Sequence, residues 1–253
     1  MPHPKFSLDG FCDLGAKVLD QLYPSWCVLC ENELSGGRSI CDSCHDLLPP
    51  ISAPFCQVCS EPFQGKIDGE FKCPNCADLK FAFDFARSGM MRDPQTLEII
   101  HRLKYGREIH LASELARLAA QAFLDPRFEL SLAEKWPLIP VPLHYRRMQH
   151  RHFNQAAEIG RSLAKLADLP LLFALKRVRN TTTQTLLSRK QRLDNLRGAF
   201  ALTKSGSKWL SKQRSGAILI DDILTTGSTV DACSKQLRRA GFSHVHVVTV
   251  MRG

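Results

Sequence analysis

Several patterns that mark common protein classes are missing from this 253-residue sequence. No apolar run approaches the roughly 18 residues that a membrane-spanning helix requires, so insertion into a membrane is not expected. The opening stretch, MPHPKFSLDGFCDLGAKVLD, is too interrupted by charge to hold the apolar core of a secretory signal. We therefore expect a cytoplasmic protein.

Two nucleotide-binding signatures are also absent. The chain has no GxxxxGK[ST] sequence, which excludes a P-loop, and no GxGxxG sequence, which excludes the dinucleotide fingerprint of Rossmann folds. Aromatic residues form only 8% of the chain and are not interleaved with its basic residues. Sequence-specific readout of a nucleic acid is therefore not expected.

The charge of the chain is strongly one-sided. Residues 1–76 hold 5 basic and 10 acidic side chains, a net charge of −5, whereas the remainder holds 29 and 15, a net charge of +14. Within residues 139–214 the counts are 16 and 3. Such a region suits a polyanion, either a phosphorylated small molecule or a nucleic acid. The alternative is a solvated surface without a ligand.

Eight of the ten cysteines form four CxxC pairs. These are Cys27/Cys30, Cys41/Cys44, Cys56/Cys59 and Cys73/Cys76. A CxxC turn directs two thiolates towards one tetrahedral ion, and two such turns complete its shell. Four pairs therefore predict two structural Zn²⁺ sites. We favour pairing in sequence order, which gives two zinc ribbons, over interleaved pairing, which gives a cross-brace, and over redox-active CxxC motifs.

The remaining candidate ligands are weaker. Cys12 and Cys233 stand alone and are expected to be small buried residues. His45 follows Cys44 and could compete as a ligand. The cysteine region has few large apolar residues, so zinc is expected to supply much of its folding free energy. Its acidic balance favours a scaffold or docking module over a DNA-reading finger.

The predicted domain organisation follows from these patterns. It comprises an N-terminal segment (1–26), a double zinc-ribbon module (27–80) and a second domain (81–253). In the second domain, strand-like runs such as GAILID alternate with amphipathic segments such as STVDACSKQLRRA. This alternation predicts an α/β fold, a parallel sheet with helices on both faces. In such sheets, ligands bind beyond the carboxyl ends of the strands.

The stretch ILIDDILTTGSTV at residues 218–230 places two carboxylates at such a strand end. The turn that follows leads into a helix, whose first N–H groups favour a phosphate. Gly227 permits close backbone approach there. A phosphorylated sugar explains both features, because Asp221 and Asp222 would accept hydrogen bonds from vicinal hydroxyls while the turn holds the phosphate.

This stretch resembles the signature by which type I phosphoribosyltransferases bind 5-phosphoribosyl 1-diphosphate (PRPP). The segments IIHRLKYGRE, IPVPLHYRRMQHRHFNQAAEIG and RNTTTQTLLSRKQRLDNLRGAF, with the cysteine module before them, are similar to the ComF family of competence proteins. The resemblance runs from about Trp26 to Arg252. It implies a type I phosphoribosyltransferase-like fold. His152 departs from it, because the family usually has glycine there, and histidine adopts a positive φ less readily.

The residues and the resemblance together predict three groups of contacts. The PRPP-binding group is Asp221, Asp222, Thr225, Thr226, Gly227, Ser228 and Thr229. The pyrophosphate loop is Leu143, His144, Tyr145 and Arg146, with Arg147 beside it, and the flexible loop contributes Gln184, Arg192 and Asn195. Mg²⁺ would arrive with PRPP. Lys104 and Tyr105 either line the pocket or belong to an ordinary helix end.

Two functions remain open. The first is a PRPP-binding protein of natural transformation, which the resemblance places on the cytoplasmic side of DNA uptake with a helicase and recombination proteins as partners. Single-stranded DNA would contact residues 139–214. The second is an active phosphoribosyltransferase with an unidentified acceptor and unassigned catalytic residues. Thr225 stands where purine-salvage relatives usually carry aspartate, which argues against a 6-oxopurine acceptor.

Overall fold

The computed structural model describes residues 25–34, 38–67, 69–179, 196, 198–211 and 216–253. The chain separates into two compact units, which meet in the sequence between Leu48 and Pro49. Each unit holds one cluster of four cysteines. The predicted domain limits at residues 26 and 80 stay a prediction.

The first unit is built around a short hairpin and a short helix. Strands β1 (Ser25–Trp26) and β2 (Glu33–Leu34) pair antiparallel, and helix α1 spans Asp42–Leu47. Cys41 caps α1, since its sulfur accepts the backbone N–H of Cys44 at 3.4 Å. One CxxC turn therefore lies between the hairpin strands and the other at the start of the helix.

The second unit contains most of the regular structure. Its helices are α2 (Pro74–Ala77), α3 (Pro94–His101), α4 (Ala112–Ala120), α5 (Glu129–Ala133), α6 (Tyr145–Arg151), α7 (Gln155–Leu166), α8 (Lys204–Leu210) and α9 (Ser228–Ala240). Its strands are β3 (Phe85–Met90), β4 (Leu138–Pro140), β5 (Leu175–Arg177), β6 (Phe200–Leu202), β7 (Gly216–Leu224) and β8 (His244–Arg252). None of the helices in these described ranges is long and apolar enough to cross a membrane.

The central sheet is parallel, with its described strands in the order β3-β8-β7-β4. Strand β7 pairs on both edges, with Leu219 opposite Val247 of β8 and Ile139 of β4. Its run Ala217–Ile220 is fully buried. A strand covered on both faces needs a continuous apolar run, which the sequence GAILI supplies. The predicted α/β fold is confirmed.

Helices cover both faces of this sheet. Gly160 of α7 lies so close to Ile220 that an added Cβ would be 3.2 Å from its side chain. Val230 and Leu237 of α9 instead cluster with Leu219. Because successive strand residues point to opposite faces, α7 and α9 lie on opposite sides of β7. The remaining strands, β5 and β6, form a separate antiparallel pair.

Capping residues mark the ends of two helices. The Asp93 carboxylate accepts the backbone N–H groups of Gln95 and Thr96 at 2.8 and 3.0 Å, ahead of Pro94. Such caps contribute about 1 kcal/mol each. Gly241 ends α9 with a φ of 113°, the left-handed conformation that glycine adopts at little cost.

Helix α3 does not end as an ordinary α-helix. It continues into one π-helical turn, Arg102–Gly106, after which Arg107 takes a φ of 60°. The Arg102 guanidinium closes this turn on Glu108 with two hydrogen bonds of 2.8 Å. Single π-turns often occur at functional sites, and this one carries Lys104.

Candidate functional site

A cleft of about 260 Å³ lies beyond the carboxyl end of β4 and beside the last part of β7. Strand β7 does not end at Asp221 and Asp222 as predicted, but continues two residues further to Leu224. The rule for parallel sheets predicts a ligand site at this position. The residues that line it come from the strand ends, the π-turn, α6, the start of α7, β5 and the start of α9. They are Lys104, Val141, Pro142, Leu143, Arg147, Arg151, Gln155, Arg177, Asp221, Asp222 and Thr229.

The two carboxylates of the cleft have different surroundings. Burial raises the pKa of Asp221 well above its usual range, and the neighbouring charge of Asp222 adds to this effect. Burial acts in the same direction on Asp222, but the Lys104 ammonium, with which it forms an ion pair, holds its pKa below the ordinary value. Asp222 is therefore the ionised member of the pair, and Asp221 holds a proton more readily.

The cleft also brings four cations together. Arg147 and Arg151 are four residues apart on α6, and therefore share one helix face. Arg151 donates to the Gln155 side chain at 3.1 Å. Arg177 enters from β5, and Lys104 completes the set. Four cations against two carboxylates leave the cleft positive, which suits an anionic ligand.

The turn at residues 225–229 contributes to two cavities. Thr229 lines the cleft with the aspartates, whereas Thr225, Thr226 and Gly227 line a second cavity of about 410 Å³. Gly227 has a φ of 75° and directly precedes α9. Thr226 and Ser228 exchange a 2.9 Å hydrogen bond between their hydroxyls. The predicted seven-residue group therefore meets the cleft through Asp221, Asp222 and Thr229.

The predicted pyrophosphate loop is divided in a similar way. Leu143 lines the cleft. His144 is buried and caps α6, with its ring nitrogen accepting the Arg146 N–H at 3.4 Å. Tyr145 is exposed, and its hydroxyl accepts a 3.2 Å hydrogen bond from Arg146. Neither Tyr145 nor Arg146 is among the residues that line the cleft.

Three charged or amide side chains that line the cleft were not predicted from the sequence, namely Arg151, Gln155 and Arg177. A signal was present for one of them. Arg147 and Arg151 lie four residues apart, the spacing of a single helix face, whereas Gln155 begins the next helix, α7. Arg177 lies in a strand of another layer, and no local spacing connects it to the cleft.

The other residues singled out in the sequence lie at the end of α6, in the π-turn, in the core or outside the described residues. His152 ends α6 with a φ of 68°, a left-handed conformation that costs a residue other than glycine on the order of 1 kcal/mol. Lys104 lines the cleft, whereas Tyr105 is exposed beside Arg151, whose guanidinium lies 5.1 Å from its ring. Gln184, Arg192, Asn195 and Cys12 lie outside the described residues. Cys233 is fully buried, as predicted.

The CxxC pairs come together in sequence order. Cys27, Cys30, Cys41 and Cys44 form one cluster, and Cys56, Cys59, Cys73 and Cys76 form the other, with the sulfurs of each within 4.8 Å of one another. This confirms the pairing of two ribbons over the cross-brace. His45 is in neither cluster, and its ring nitrogen lies 3.5 Å from the Asp46 carboxylate.

The spacing of the sulfurs fits zinc. Tetrahedral bonds of about 2.3 Å place neighbouring sulfurs about 3.8 Å apart. The Cys30–Cys41 and Cys59–Cys73 sulfurs are 3.6 and 3.7 Å apart. Backbone N–H groups also point at the sulfurs, among them that of Cys73 at 3.3 Å from the sulfur of Cys56. Both clusters therefore fit structural Zn²⁺, with four sulfurs and no position for a catalytic water.

Sequence similarity to known proteins extends over most of this chain. Competence protein F of Haemophilus influenzae is 31% identical over 224 residues, which cover 87% of this chain and 94% of the relative. The chain belongs to the ComF family of competence proteins. DNA utilization protein YhgH of Escherichia coli K12 is 30% identical, covering 90% of this chain and 97% of its own length. Competence protein ComFC of Bacillus subtilis is 23% identical over 85% and 89%.

The zinc module of this ComF family member is recognised separately. A family model described as a double zinc ribbon domain matches residues 18–77. This range contains all four CxxC pairs, in agreement with the two clusters.

We expect two zinc ions per chain by metal analysis. Cys41→Ser and Cys73→Ser should each retain one, because each removes one ligand of a different cluster. Cys73→Ser should also lower the free energy of unfolding by several kcal/mol, since metal binding contributes folding free energy. Cys233→Ala is the matched control and should retain two. Fewer than two zinc ions in the wild type, or two in either serine variant, would contradict the assignment.

Proposed function

We propose that this ComF family protein binds PRPP with Mg²⁺ in the cleft at the end of β7 and acts on the cytoplasmic side of DNA uptake. The observation that carries the proposal is the meeting of Asp221, Asp222 and Thr229 with four cations in one cleft. A sugar that carries phosphates at two positions requires carboxylates to accept hydrogen bonds from its hydroxyls and cations to bind its phosphates. A ligand without sugar hydroxyls would offer these carboxylates no hydrogen-bond donor.

Charge supports this choice of ligand. The diphosphate of PRPP is the most anionic part of the molecule, and guanidinium groups such as those of Arg147 and Arg151 suit phosphate oxygens. The carboxylates would accept hydrogen bonds from the ribose hydroxyls, and the start of α9 with its hydroxyl-rich turn would hold the 5′-phosphate. The ion pair of Lys104 with Asp222 keeps one carboxylate ionised for this purpose.

Magnesium fits the same arrangement. Mg²⁺ prefers oxygen ligands and usually takes one or two carboxylates together with substrate phosphates. Asp221 and Asp222 offer such oxygens. When bound with PRPP, the ion would neutralise part of the diphosphate charge. We also propose that residues 143–146 meet the pyrophosphate, and that Gln184, Arg192 and Asn195 contact bound PRPP.

Asp221→Asn is the sharpest test of the cleft. The variant replaces one carboxyl oxygen with an NH₂ group that cannot accept a hydrogen bond, which leaves a ribose hydroxyl of the bound ligand without its acceptor at a cost of about 1–3 kcal/mol. PRPP binding should therefore weaken by about fivefold to a hundredfold in calorimetry with Mg²⁺. Stability should not fall, because burial and the neighbouring Asp222 charge already disfavour the ionised form. Asp222→Asn should weaken binding too, but it should also lower stability, because Lys104 loses its buried partner.

Asp168→Asn provides the matched control. This carboxylate is exposed, pairs with Lys135 and lies outside the cleft, so its loss should leave PRPP affinity unchanged. Equal affinity of the wild type and the Asp221→Asn variant would remove the site assignment.

The DNA role in the proposal comes from the relatives and the charge. The relatives are named competence and DNA utilization proteins. Residues 139–214 carry a large excess of basic side chains, which suits the phosphates of single-stranded DNA without base recognition. We propose that this region contacts incoming single strands, and that the competence helicase and recombination proteins are the neighbouring partners.

Affinity for a labelled oligonucleotide should fall steeply with salt, by about tenfold to a hundredfold between 50 and 200 mM when fluorescence anisotropy is measured. Arg147→Ala should reduce the slope of log affinity against log salt by about 0.7, the loss of one phosphate contact. PRPP should compete, because Arg147 lines the cleft. Arg117→Ala, outside the basic region and paired with Glu114, should change neither result. Affinity that is independent of salt would refute the electrostatic contact.

A second candidate function is phosphoribosyl transfer. It is favoured by the second cavity, which borders the same turn and is lined by the rings of Phe81 and Phe83. That cavity has room for a ring-shaped acceptor.

An active transferase should release pyrophosphate from PRPP when supplied with one member of a panel of nucleobases and amines, and Asp221→Asn should abolish the release. Binding of PRPP without release from any member of the panel is the outcome expected of a binding protein.

A further inference from the structure

We propose that Arg252 is a positioning residue that joins the second cysteine cluster (Cys56, Cys59, Cys73 and Cys76) to the turn at residues 225–229, so that zinc in this cluster sets the affinity of the cleft. The inference rests on the proposed PRPP-binding function. It adds a regulation of that site by a metal centre that is not part of the cleft.

Arg252 is the buried last residue of β8, and it contacts both the second cysteine cluster and the start of the turn. Its Nη1 donates hydrogen bonds to the carbonyl oxygens of Leu224 and Thr225, at 2.7 and 2.8 Å. Its Nη2 lies 2.5 Å from the Glu61 carboxylate and 3.8 Å from the sulfur of Cys59. One guanidinium therefore touches a predicted zinc ligand and the backbone that begins the turn.

The carbonyl groups of Leu224 and Thr225 lie where a change in their position would change the backbone conformation of the turn. They belong to the residues by which the chain passes from β7 to the turn, and the backbone N–H of Gly253 also donates to Leu224, at 2.8 Å. Gly227, two residues further along, packs near Phe81, where an added Cβ would be 3.4 Å from the ring. A shift of the carbonyl groups would therefore alter where the N–H groups of the turn point.

The contact between Arg252 and the Cys59 sulfur is the route by which a metal ion would affect the guanidinium. Four thiolates and one Zn²⁺ carry a net charge of −2, and hydrogen bonds from outer groups to metal-bound sulfur orient such sites. The sulfurs of Cys59 and Cys73, which belong to the two CxxC turns of the cluster, lie 3.7 Å apart, and a bound zinc would hold them together. The environment of the guanidinium thus differs with and without the metal, and a ligand can shift a conformation only through such a difference.

Arg127 offers a matched comparison within the same unit. Its guanidinium donates to the carbonyl oxygen of Gln57, beside Cys56, at 2.7 Å, and pairs with Asp125. It therefore ties the cysteine-rich segment to the α/β region, as Arg252 does. None of its hydrogen bonds reaches the turn at residues 225–229.

The first experiment measures how much zinc the whole protein loses at equilibrium to a coloured chelator, with and without PRPP and Mg²⁺. Because the coupling of binding free energies is reciprocal, PRPP should raise the zinc affinity of the second cluster by about fivefold or more. The Cys41→Ser variant retains zinc in the second cluster alone and reports the affinity of that cluster. Mg²⁺ without PRPP corrects for competition with the chelator. Arg252→Ala should abolish the gain in zinc affinity, whereas Arg127→Ala should retain it.

The second experiment needs no PRPP. Amide hydrogen exchange, followed by mass spectrometry, should be faster at residues 225–229 in Cys73→Ser and Arg252→Ala than in the wild type, and unchanged in Cys41→Ser and Arg127→Ala. Arg252→Lys keeps the charge but lacks the fork that reaches both sites, so it should also lose protection. It serves as the second variant if the alanine protein does not fold.

The outcomes separate this inference from the proposed function. Failure of PRPP to bind the wild type would refute the proposed function, and hydrogen exchange would still decide whether the metal controls the turn. Binding of PRPP with equal zinc loss in its presence and absence would overturn the coupling alone. Equal exchange at the turn in the wild type and Cys73→Ser would overturn it as well.

Discussion

The ion pair between Lys104 and Asp222 is the constraint on which the cleft depends. Two adjacent carboxylates at the end of a buried strand repel each other, and burial penalises both. A lysine brought from another element offsets this for one of them. The π-turn that ends α3 places that lysine, because it carries Lys104 while Arg102 and Glu108 hold it closed. The strand end thus depends on a distant helix.

Zinc plays a different part in each unit. In its described residues, 25–34 and 38–48, the first unit has two short strands and one short helix, and the apolar side chains buried there besides cysteine are Ile40 and Leu48. The second cluster instead joins a larger apolar cluster that includes Phe83, Val247 and Leu237. It is also tied to the sheet by hydrogen bonds, such as that from Ser60 to the Ala86 carbonyl at 2.8 Å. The first cluster of four cysteines therefore forms the centre of its unit, whereas the second cluster is one part of a larger apolar core.

The sequence predicts the framework well because its signals are local. Alternation of apolar and amphipathic runs identifies β7 and α9, and CxxC spacing identifies both clusters. The cleft is predicted only in part. Asp221 and Asp222 follow from their strand end, but Arg177 and Arg252 act through tertiary contacts that leave no pattern in the neighbouring residues. Helix α6 also escaped prediction, since its residues YRRMQHR have no apolar face to reveal it.

The division of the two cysteine clusters between two compact units has a consequence for measurements on the whole chain. Each unit has its own metal centre, and thus its own dependence on metal concentration. All-or-none unfolding is expected of single small domains and fails in proteins with several units or bound metals. We therefore expect thermal unfolding of this chain to show two transitions, so that one melting temperature would average them. The free zinc concentration in the buffer should change the order in which the two units unfold.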